Sequence, residues 1–157
     1  MKLYSWNVNG IRAVVRKGTF QQFIAEHDPD ILCLQETKAE QGQAAYDLPQ
    51  YTEYWNASRA KKGYSGTAIF SKVPAIKVIN DIPDHIVQAS GLVGDGYGDA
   101  NLEGRVIAAE FAEFYVVTCY TPNAKDDLTR LKLRVDWDRA MTMYCAELAQ
   151  HKPVIYN

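Results

Sequence analysis

Asn7 and Glu36 are the residues whose types and positions first suggest catalysis. Each lies at the polar end of a segment, 3–10 or 31–38, that predicts a β-strand followed by polar side chains. An amide oxygen and a carboxylate are hard donors, and Mg²⁺ takes one or two protein carboxylates while it keeps several waters. The pair therefore indicates a Mg²⁺ site. Taken alone, the two positions favour a plainer interpretation, in which both residues are solvated turn formers.

The elements around these two residues decide whether they can meet. Between the two strands the sequence predicts one helix, which has a capping-box pattern at Thr19–Gln22 and is followed by Pro29. Strand, helix and strand form a βαβ unit, whose strands are parallel. Because open α/β sheets bind ligands at the carboxyl ends of their strands, we expect Asn7 and Glu36 at the same edge.

The rest of the chain predicts further strands and one long helix. The expected strands lie at 51–55, 67–70, 75–79, 105–111 and 114–120, the last two as a hairpin. A helix from Asp127 to before Pro153 has one apolar face and leads to a terminal strand, 152–157, which makes a second strand-helix-strand unit. The Gly- and Asp-rich segment 90–101 predicts an exposed mobile loop, with a cation site as the less favoured interpretation.

Five short motifs extend across the whole sequence. They are Trp6–Ala13, Leu34–Lys38, Lys62–Ala68, Glu103–Ile107 and Tyr120–Ala124. In their wording and their order they resemble the signatures of the exonuclease III family of apurinic/apyrimidinic (AP) endonucleases. The resemblance covers essentially all 157 residues, and five ordered matches make chance similarity a poor explanation.

The resemblance implies an α/β fold, a four-layered α/β-sandwich of the DNase I-like endonuclease/exonuclease/phosphatase type. We expect residues 1–157 to supply only its N-terminal part, because the family's later Gly-Asp-x-Asn and Ser-Asp-His motifs are not in the sequence. The first sheet would then be complete, the second layer would only begin, and an apolar inner face would be uncovered. Either the missing C-terminal half of the domain or self-association would cover that face.

For catalysis, the resemblance implies roles for four residues. Glu36 matches the direct metal ligand, and Asn7 matches a residue close to the metal and its waters. Mg²⁺ is the expected metal, with Mn²⁺ as an alternative. Tyr120 matches the active-site tyrosine, whose phenol stabilises charge that develops on the phosphate. Asn9 is ambiguous, because family members carry either Asp or Asn there.

For DNA binding, the resemblance implies a second set of residues. Arg12 and Tyr64 match positions that contact DNA, Asn123 matches a phosphate contact, and Lys38 matches a residue that orients the acidic cluster. Basic side chains also cluster near these motifs, at Arg12, Arg16 and Lys17 and again at Arg59, Lys61 and Lys62. We expect double-stranded DNA with abasic sites as the partner.

The activity that the resemblance implies is metal-dependent hydrolysis of the phosphodiester 5′ to an abasic site, which leaves a 3′ hydroxyl. The sequence leaves open whether 3′-to-5′ exonuclease action and 3′-phosphodiesterase action accompany this cleavage. The family's candidate base lies beyond Asn157, so we expect this chain alone to be inactive. Two alternatives stand: a non-catalytic fragment or DNA-interaction module, and a phosphodiesterase of the same fold that acts on a lipid or inositol phosphate. The sequences Gly63–Gly66 and Tyr120–Asn123 favour DNA as the substrate over this last alternative.

Composition limits the function classes. The formal net charge of −2 argues against a protein that coats nucleic acid, although local basic clusters remain available. The three cysteines, Cys33, Cys119 and Cys145, have no metal-ligand spacing and are expected to be free thiols. No signal-peptide core and no membrane-spanning stretch occur in the sequence. We therefore expect a cytoplasmic location and no membrane partner.

Overall fold

A computed structural model describes residues 1–157, which form eight strands, four α-helices and one 3₁₀ turn. The strands are β1 (Leu3–Asn7), β2 (Ile31–Gln35), β3 (Thr52–Asn56), β4 (Thr67–Ser71), β5 (Lys77–Asn80), β6 (Val106–Glu110), β7 (Tyr115–Cys119) and β8 (Val154–Tyr156). The helices are α1 (Ile11–Arg16), α2 (Thr19–His27), α3 (Asp84–Ser90) and α4 (Leu131–Ala149), and the 3₁₀ turn is Ala100–Leu102.

The strands form two sheets of four strands each. The first sheet has the order β1-β2-β4-β3, and the second has the order β5-β6-β7-β8. Strands β1 and β2 are parallel, as the βαβ prediction requires, with Asn7 opposite Gln35. Strands β7 and β8 are also parallel and are connected by α4, while β6 and β7 form the predicted hairpin. Both strand-helix-strand units are therefore confirmed.

Alternation along β2 shows how the layers stack. Leu32 and Leu34 belong to the core between the first sheet and helices α1 and α2, whereas Ile31 and Cys33 belong to a core shared with the second sheet. That shared core consists of Ile31, Cys33, Ile69, Ile107, Ala109, Phe111 and Val116. Helices α3 and α4 cover the other face of the second sheet. The layers thus run helix, sheet, sheet, helix.

This arrangement confirms the predicted fold class and corrects one expectation. The prediction that only the start of the second layer would be present, with an apolar inner face uncovered, is wrong. Residues 77–156 supply four strands of the second sheet, and its inner face packs directly on the first sheet. The sequence pattern did not show this, because the length of a strand does not reveal which sheet it joins.

Helix α4 confirms that its aromatic stripe belongs to the core. Trp137 is fully buried, and Leu133, Met141 and Tyr144 pack beside it against the second sheet. Loss of a buried aromatic side chain of this kind costs about 3–5 kcal/mol. The helix starts at Leu131, later than predicted, because the carboxylate of Asp127 accepts hydrogen bonds from the N–H and hydroxyl of Thr129 and keeps that segment in a turn. No helix of the chain combines the length and the apolarity needed to cross a membrane.

The segment between β1 and β2 contains two helices, where the sequence predicted one. Gly18, at φ 78°, separates α1 from α2. The capping-box prediction at Thr19–Gln22 is wrong, because Thr19 is the first helical residue and its hydroxyl donates to the carbonyl of Val14. The short α1 was missed because it is only one and a half turns long, too short for a periodic apolar pattern.

The segment 90–101 is held against the protein. Leu92 and Ala100 are buried, and the guanidinium of Arg130 donates to the carboxylate of Asp95 at 2.8 Å. The predicted exposure is confirmed for most of the segment, since residues 93–99 are exposed apart from the half-buried Asp95, and it is wrong at Leu92 and Ala100.

The cysteines are free, as the sequence predicted. Cys33 in β2 and Cys119 at the end of β7 are buried, and Cys145 in α4 is half-buried. Burial raises the pKa of the Cys33 thiol to about 12, so it stays protonated and unreactive at neutral pH.

Gly104 explains why its motif contains a glycine. Its φ is +65°, and a Cβ there would lie 2.6 Å from the carbonyl carbon of Ala57 and closer still to the carbonyl oxygen of Asn56. Both neighbours are backbone atoms that cannot move aside cheaply. The close approach matters because the segment from Glu103 to Arg105 must pass beside the end of β3.

We predict that Gly104→Ala lowers the free energy of unfolding by about 3 kcal/mol, because left-handed strain and backbone overlap add together. Gly18→Ala is the matched control, since Gly18 also has a positive φ but has open space around it; it should cost only roughly 1 kcal/mol. Urea denaturation followed by circular dichroism measures both. Equal losses in the two variants would contradict the packing argument.

Candidate active site

The carboxyl ends of β1, β2 and β7 meet at one edge of the sandwich. Asn7 ends β1 opposite Gln35, Glu36 directly follows β2, and Tyr120 directly follows β7. The two sheets are joined at this edge by Gln35, whose amide donates to the hydroxyl of Thr118 at 2.9 Å. The prediction that Asn7 and Glu36 share an edge is confirmed, and the second sheet adds Tyr120 to it.

The backbone around Glu36 is strained and firmly held. Glu36 and Lys38 both have left-handed conformations, with φ of 57° and 51°. The carbonyl of Glu36 accepts from the N–H of Gly10 at 2.8 Å, and the N–H of Lys38 donates to the carbonyl of Ser65 at 2.8 Å. Non-glycine residues in this region cost about 1–3 kcal/mol each and persist where the surroundings determine them. The loop therefore has one defined shape.

Lys38 links the acidic and amide side chains of the site. Its ammonium lies 3.2 Å from the carboxylate of Glu36 and donates to the side-chain oxygen of Asn9 at 2.6 Å. The side-chain oxygen of Asn7 in turn accepts from the N–H of Asn9 at 3.0 Å. These contacts orient the two oxygen donors that the sequence selected.

The donor set fits Mg²⁺ in kind but is small. Glu36 offers one carboxylate and Asn7 one amide oxygen, both hard ligands on well-ordered backbone. Mg²⁺ commonly uses one or two carboxylates and fills its remaining positions with water or substrate oxygens. Glu36 and Asn7 are therefore the residues that would hold it.

Tyr120 is positioned by the second sheet. Its N–H donates to the carbonyl of Arg105 at 2.8 Å, and its side chain is half-buried. Burial raises the pKa of the phenol, and the negative charge of Glu36 raises it further, while the cation of Arg105 partly opposes both. The phenol is consequently a protonated hydrogen-bond donor at neutral pH.

A groove adjoins these residues and contains the predicted DNA contacts Arg12 and Tyr64. It is lined by Arg12, Ala39, Glu40, Gln43, Ala57, Ser58, Lys62, Gly63 and Tyr64. Arg12 also donates to the carbonyl of Lys38 at 3.0 Å, so it supports the strained loop. Arg59 is not a free basic group, because it pairs with Asp81 at 2.7 Å.

Asn123 lies on the exposed segment after Tyr120. Its side-chain oxygen accepts from the N–H of Lys125 at 2.6 Å, which makes a local turn. Six of the seven predicted site residues thus lie at the edge or line the groove, and Asn123 follows Tyr120 on an exposed loop.

Comparison with protein families agrees with this arrangement. Residues 4–146 match the model of the Endonuclease/Exonuclease/phosphatase family. The chain belongs to this family. The resemblance first seen in five short motifs is thereby confirmed, and Glu36, Lys38 and Tyr120 all lie within the matched residues.

Relatives in the family are considerably longer than this chain. An exodeoxyribonuclease of Bacillus subtilis is 46% identical over 155 residues, which are 99% of this chain and 56% of that protein. The DNA repair nuclease APEX1 of Danio rerio is 40% identical over 99% of this chain and 47% of its own length. A solved structure of the 3′ phosphatase NExo from Neisseria, bound to a product DNA hairpin, superposes with a TM-score of 0.74 at 26% identity and covers 99% of this chain and 56% of that one. The chain thus spans about half the length of the relatives it matches.

Sequence reasoning missed two buried residues that hold this edge together. Gln35 and Arg105 each lie inside a recognised motif, Leu34–Lys38 and Glu103–Ile107, yet neither received a role. Both side chains are buried and polar, and both connect elements distant in sequence. A polar residue in an otherwise apolar strand was the available signal, but its partners could not be read from the sequence.

We predict that Glu36→Gln lowers the pKa of Tyr120, because it removes the negative charge beside the phenol while it keeps the shape of the side chain. A pH titration of the ¹³Cζ resonance of Tyr120, assigned with Tyr120→Phe, measures the change. Glu40→Gln removes an exposed carboxylate of the adjoining groove and serves as the control. An unchanged midpoint in Glu36→Gln would show that the two side chains do not interact as described.

Proposed function

We propose that this chain forms part of a DNA-repair endonuclease that hydrolyses the phosphodiester 5′ to an abasic site in double-stranded DNA. The observation that carries the proposal is the meeting of Glu36, from the first sheet, with a protonated Tyr120, from the second, beside a groove that contains Arg12 and Tyr64. Relatives named exodeoxyribonuclease and DNA repair nuclease support the same reaction class. Exonuclease action from 3′ to 5′ and 3′-phosphodiesterase action use the same phosphate chemistry.

In this proposal each residue acts on the phosphate or holds its surroundings. Arg12 and Tyr64 bind the DNA backbone in the groove, and Asn123 contacts the phosphate from its own loop. The phenol of Tyr120 donates a hydrogen bond to a phosphate oxygen as negative charge develops there. Mg²⁺, or Mn²⁺, would be held by Glu36 and Asn7, and when bound it supplies Lewis acidity toward the phosphate. Lys38 keeps the Glu36 carboxylate oriented.

The reaction also needs a base for the attacking water, and these residues do not supply one. Glu36 is committed to the metal in this proposal, and the nearby carboxylate of Glu103 is buried in an ion pair with Arg105. We infer that the remaining groups come from a companion segment and that 1–157 is part of a larger domain. The isolated chain is then inactive in turnover.

The open strands of the two sheets support this inference. Strands β1 and β8 each pair with one neighbour only, so both are edge strands. They lie side by side, because the hydroxyl of Ser5 in β1 donates to the side chain of Asn157, just after β8, at 3.1 Å. Two adjacent open edges can accept strands from one companion segment. The proposed protein acts in the cytoplasm, without a membrane partner.

A non-catalytic DNA-interaction module is the second candidate function. The small number of carboxylates at the site favours it, since no group of three acidic, His or Cys residues gathers there. A phosphodiesterase that acts on a lipid or inositol phosphate would use the same edge, but the family's DNA-directed relatives make it the weaker alternative.

We predict Mg²⁺-dependent incision of a duplex with one tetrahydrofuran abasic analogue only when a companion segment is added. The companion is the C-terminal part of the Bacillus subtilis relative, expressed separately. Glu36→Gln in this chain should remove that incision, because it removes the carboxylate that would hold the metal. Glu113→Gln should leave it unchanged, because Glu113 is exposed in the turn before β7, at the opposite end of that strand from Tyr120. Incision by the unmodified chain alone, lost in Glu36→Gln, would disprove the inference of a missing part. Duplex binding without incision in any mixture would favour the DNA-interaction module.

We further predict that the half-site binds a divalent ion weakly in the absence of DNA. Added Mn²⁺ should broaden the backbone NMR signals of Asn9, Gly10 and Lys38 selectively, because paramagnetic relaxation falls steeply with distance. Glu36→Gln should remove the selective broadening, and excess Mg²⁺ should reverse it in the unmodified chain. Broadening that follows exposed carboxylates across the whole surface would contradict a site at Glu36.

A further inference from the structure

Arg105 is the most completely bonded charged group in the chain, and the proposed reaction gives it no role. Its side chain is only 2% exposed. A guanidinium removed from water in this way is costly unless all its N–H groups find acceptors. Its bonding partners therefore show what the protein gains by burying it.

Those partners include both tyrosines of the candidate site. The guanidinium donates to the carbonyl of Tyr120 at 3.0 Å and to the hydroxyl of Tyr64 at 3.1 Å. It also lies over both rings, 4.9 Å from the ring centre of Tyr120 and 5.8 Å from that of Tyr64. One planar cation thus touches the tyrosine that faces the groove and the tyrosine that faces Glu36.

Glu103 fixes the orientation of this cation. One oxygen of its nearly buried carboxylate, Oε2, accepts from Nε of the guanidinium at 2.7 Å and lies 2.6 Å from Nη2. A single charged oxygen held between Nε and Nη2 fixes which edge of the planar guanidinium faces Glu103, and so fixes its orientation. Gly104 between the two residues allows the backbone to pass close to Asn56 and Ala57.

We propose that Arg105 is a positioning residue that holds Tyr120 for the proposed reaction and couples it to Tyr64. Arg105 accepts the N–H of Tyr120 through its own carbonyl and donates to the carbonyl of Tyr120 through its side chain, so both backbone groups of Tyr120 are held by one residue. A DNA backbone that displaces the hydroxyl of Tyr64 would remove one acceptor from the guanidinium. The orientation of Tyr120 then responds to contact in the groove.

The catalytic benefit of Arg105 rests on the proposed function, but its contacts with the two tyrosines can be tested on this chain alone. The readout is the ¹³Cζ resonance of Tyr120 at neutral pH. Arg105→Gln removes the cation from the ring and one donor to the Tyr120 carbonyl, so it should shift this resonance. Arg105→Lys keeps a charge but loses the planar guanidinium, so it should also shift the resonance.

Lys61→Gln is the matched control. The ammonium of Lys61 also lies over the ring of Tyr64, at 5.9 Å, but it is exposed and has no contact with Tyr120. It should leave the resonance of Tyr120 unchanged. If Arg105 only stabilised the fold, the Tyr120 resonance would also be unchanged in a folded Arg105→Lys variant.

Coupling is tested with Tyr64→Phe, which deletes only the hydroxyl that Arg105 binds. This substitution should shift the Tyr120 resonance in the unmodified chain and add nothing in the Arg105→Lys background. If Arg105→Gln does not fold, Arg105→Lys and Tyr64→Phe still decide the question. Equal and additive shifts in both backgrounds would overturn the coupling.

In the complemented nuclease, Arg105→Lys should lower kcat by roughly 10²-fold with little change in KM, as expected when a catalytic group is misplaced by about 1 Å. Lys61→Gln should instead change KM and the salt dependence of binding. Absence of incision by the unmodified mixture would count against the proposed function and leave the NMR comparison of Arg105 intact. Unchanged kcat in Arg105→Lys, with incision present, would overturn the positioning role.

Discussion

Packing of the two sheets against each other places Glu36, from the first sheet, beside Tyr120, from the second. The contact is a thin apolar layer that includes Cys33, Ile69 and Val116, and near the functional edge it changes to hydrogen bonds from the amide of Gln35. Close-packed interiors transmit displacements because they contain little free volume. The distance between Glu36 and Tyr120 is therefore determined by an interface that contains neither of them.

Strain at the edge is the second constraint. Asn9, Glu36, Lys38 and Ser65 all have positive φ, although none is glycine. They follow β1, follow β2 or precede β4, and backbone hydrogen bonds join these loops to one another. The free energy stored in such conformations comes from the surrounding sheets, which supply many more contacts than the loops do. The edge has a defined shape before any ligand binds, which lowers the conformational-entropy cost of binding.

Much of the fold and the site followed from residue patterns. The apolar runs predicted eight strands, and the one-sided pattern around Trp137 predicted α4, because burial on one face leaves a periodic trace in the sequence. The order of five motifs indicated the family, and the parallel crossover placed Asn7 and Glu36 together. Helix starts were predicted less reliably from local residue types. A capping box was expected at Thr19, but the left-handed Gly18 precedes the helix instead.

By itself, the sequence determined which residues could do chemistry, the strand-helix-strand units that bring Asn7 to Glu36, and the family. Only the tertiary structure decided that the chain builds four layers, that segment 90–101 is anchored through Asp95 to Arg130, and that Arg105 joins the two tyrosines. The reason is physical. Periodicity records whether a side chain is buried, whereas the partner of a buried polar group is separated from it by tens of residues and is chosen by packing in three dimensions.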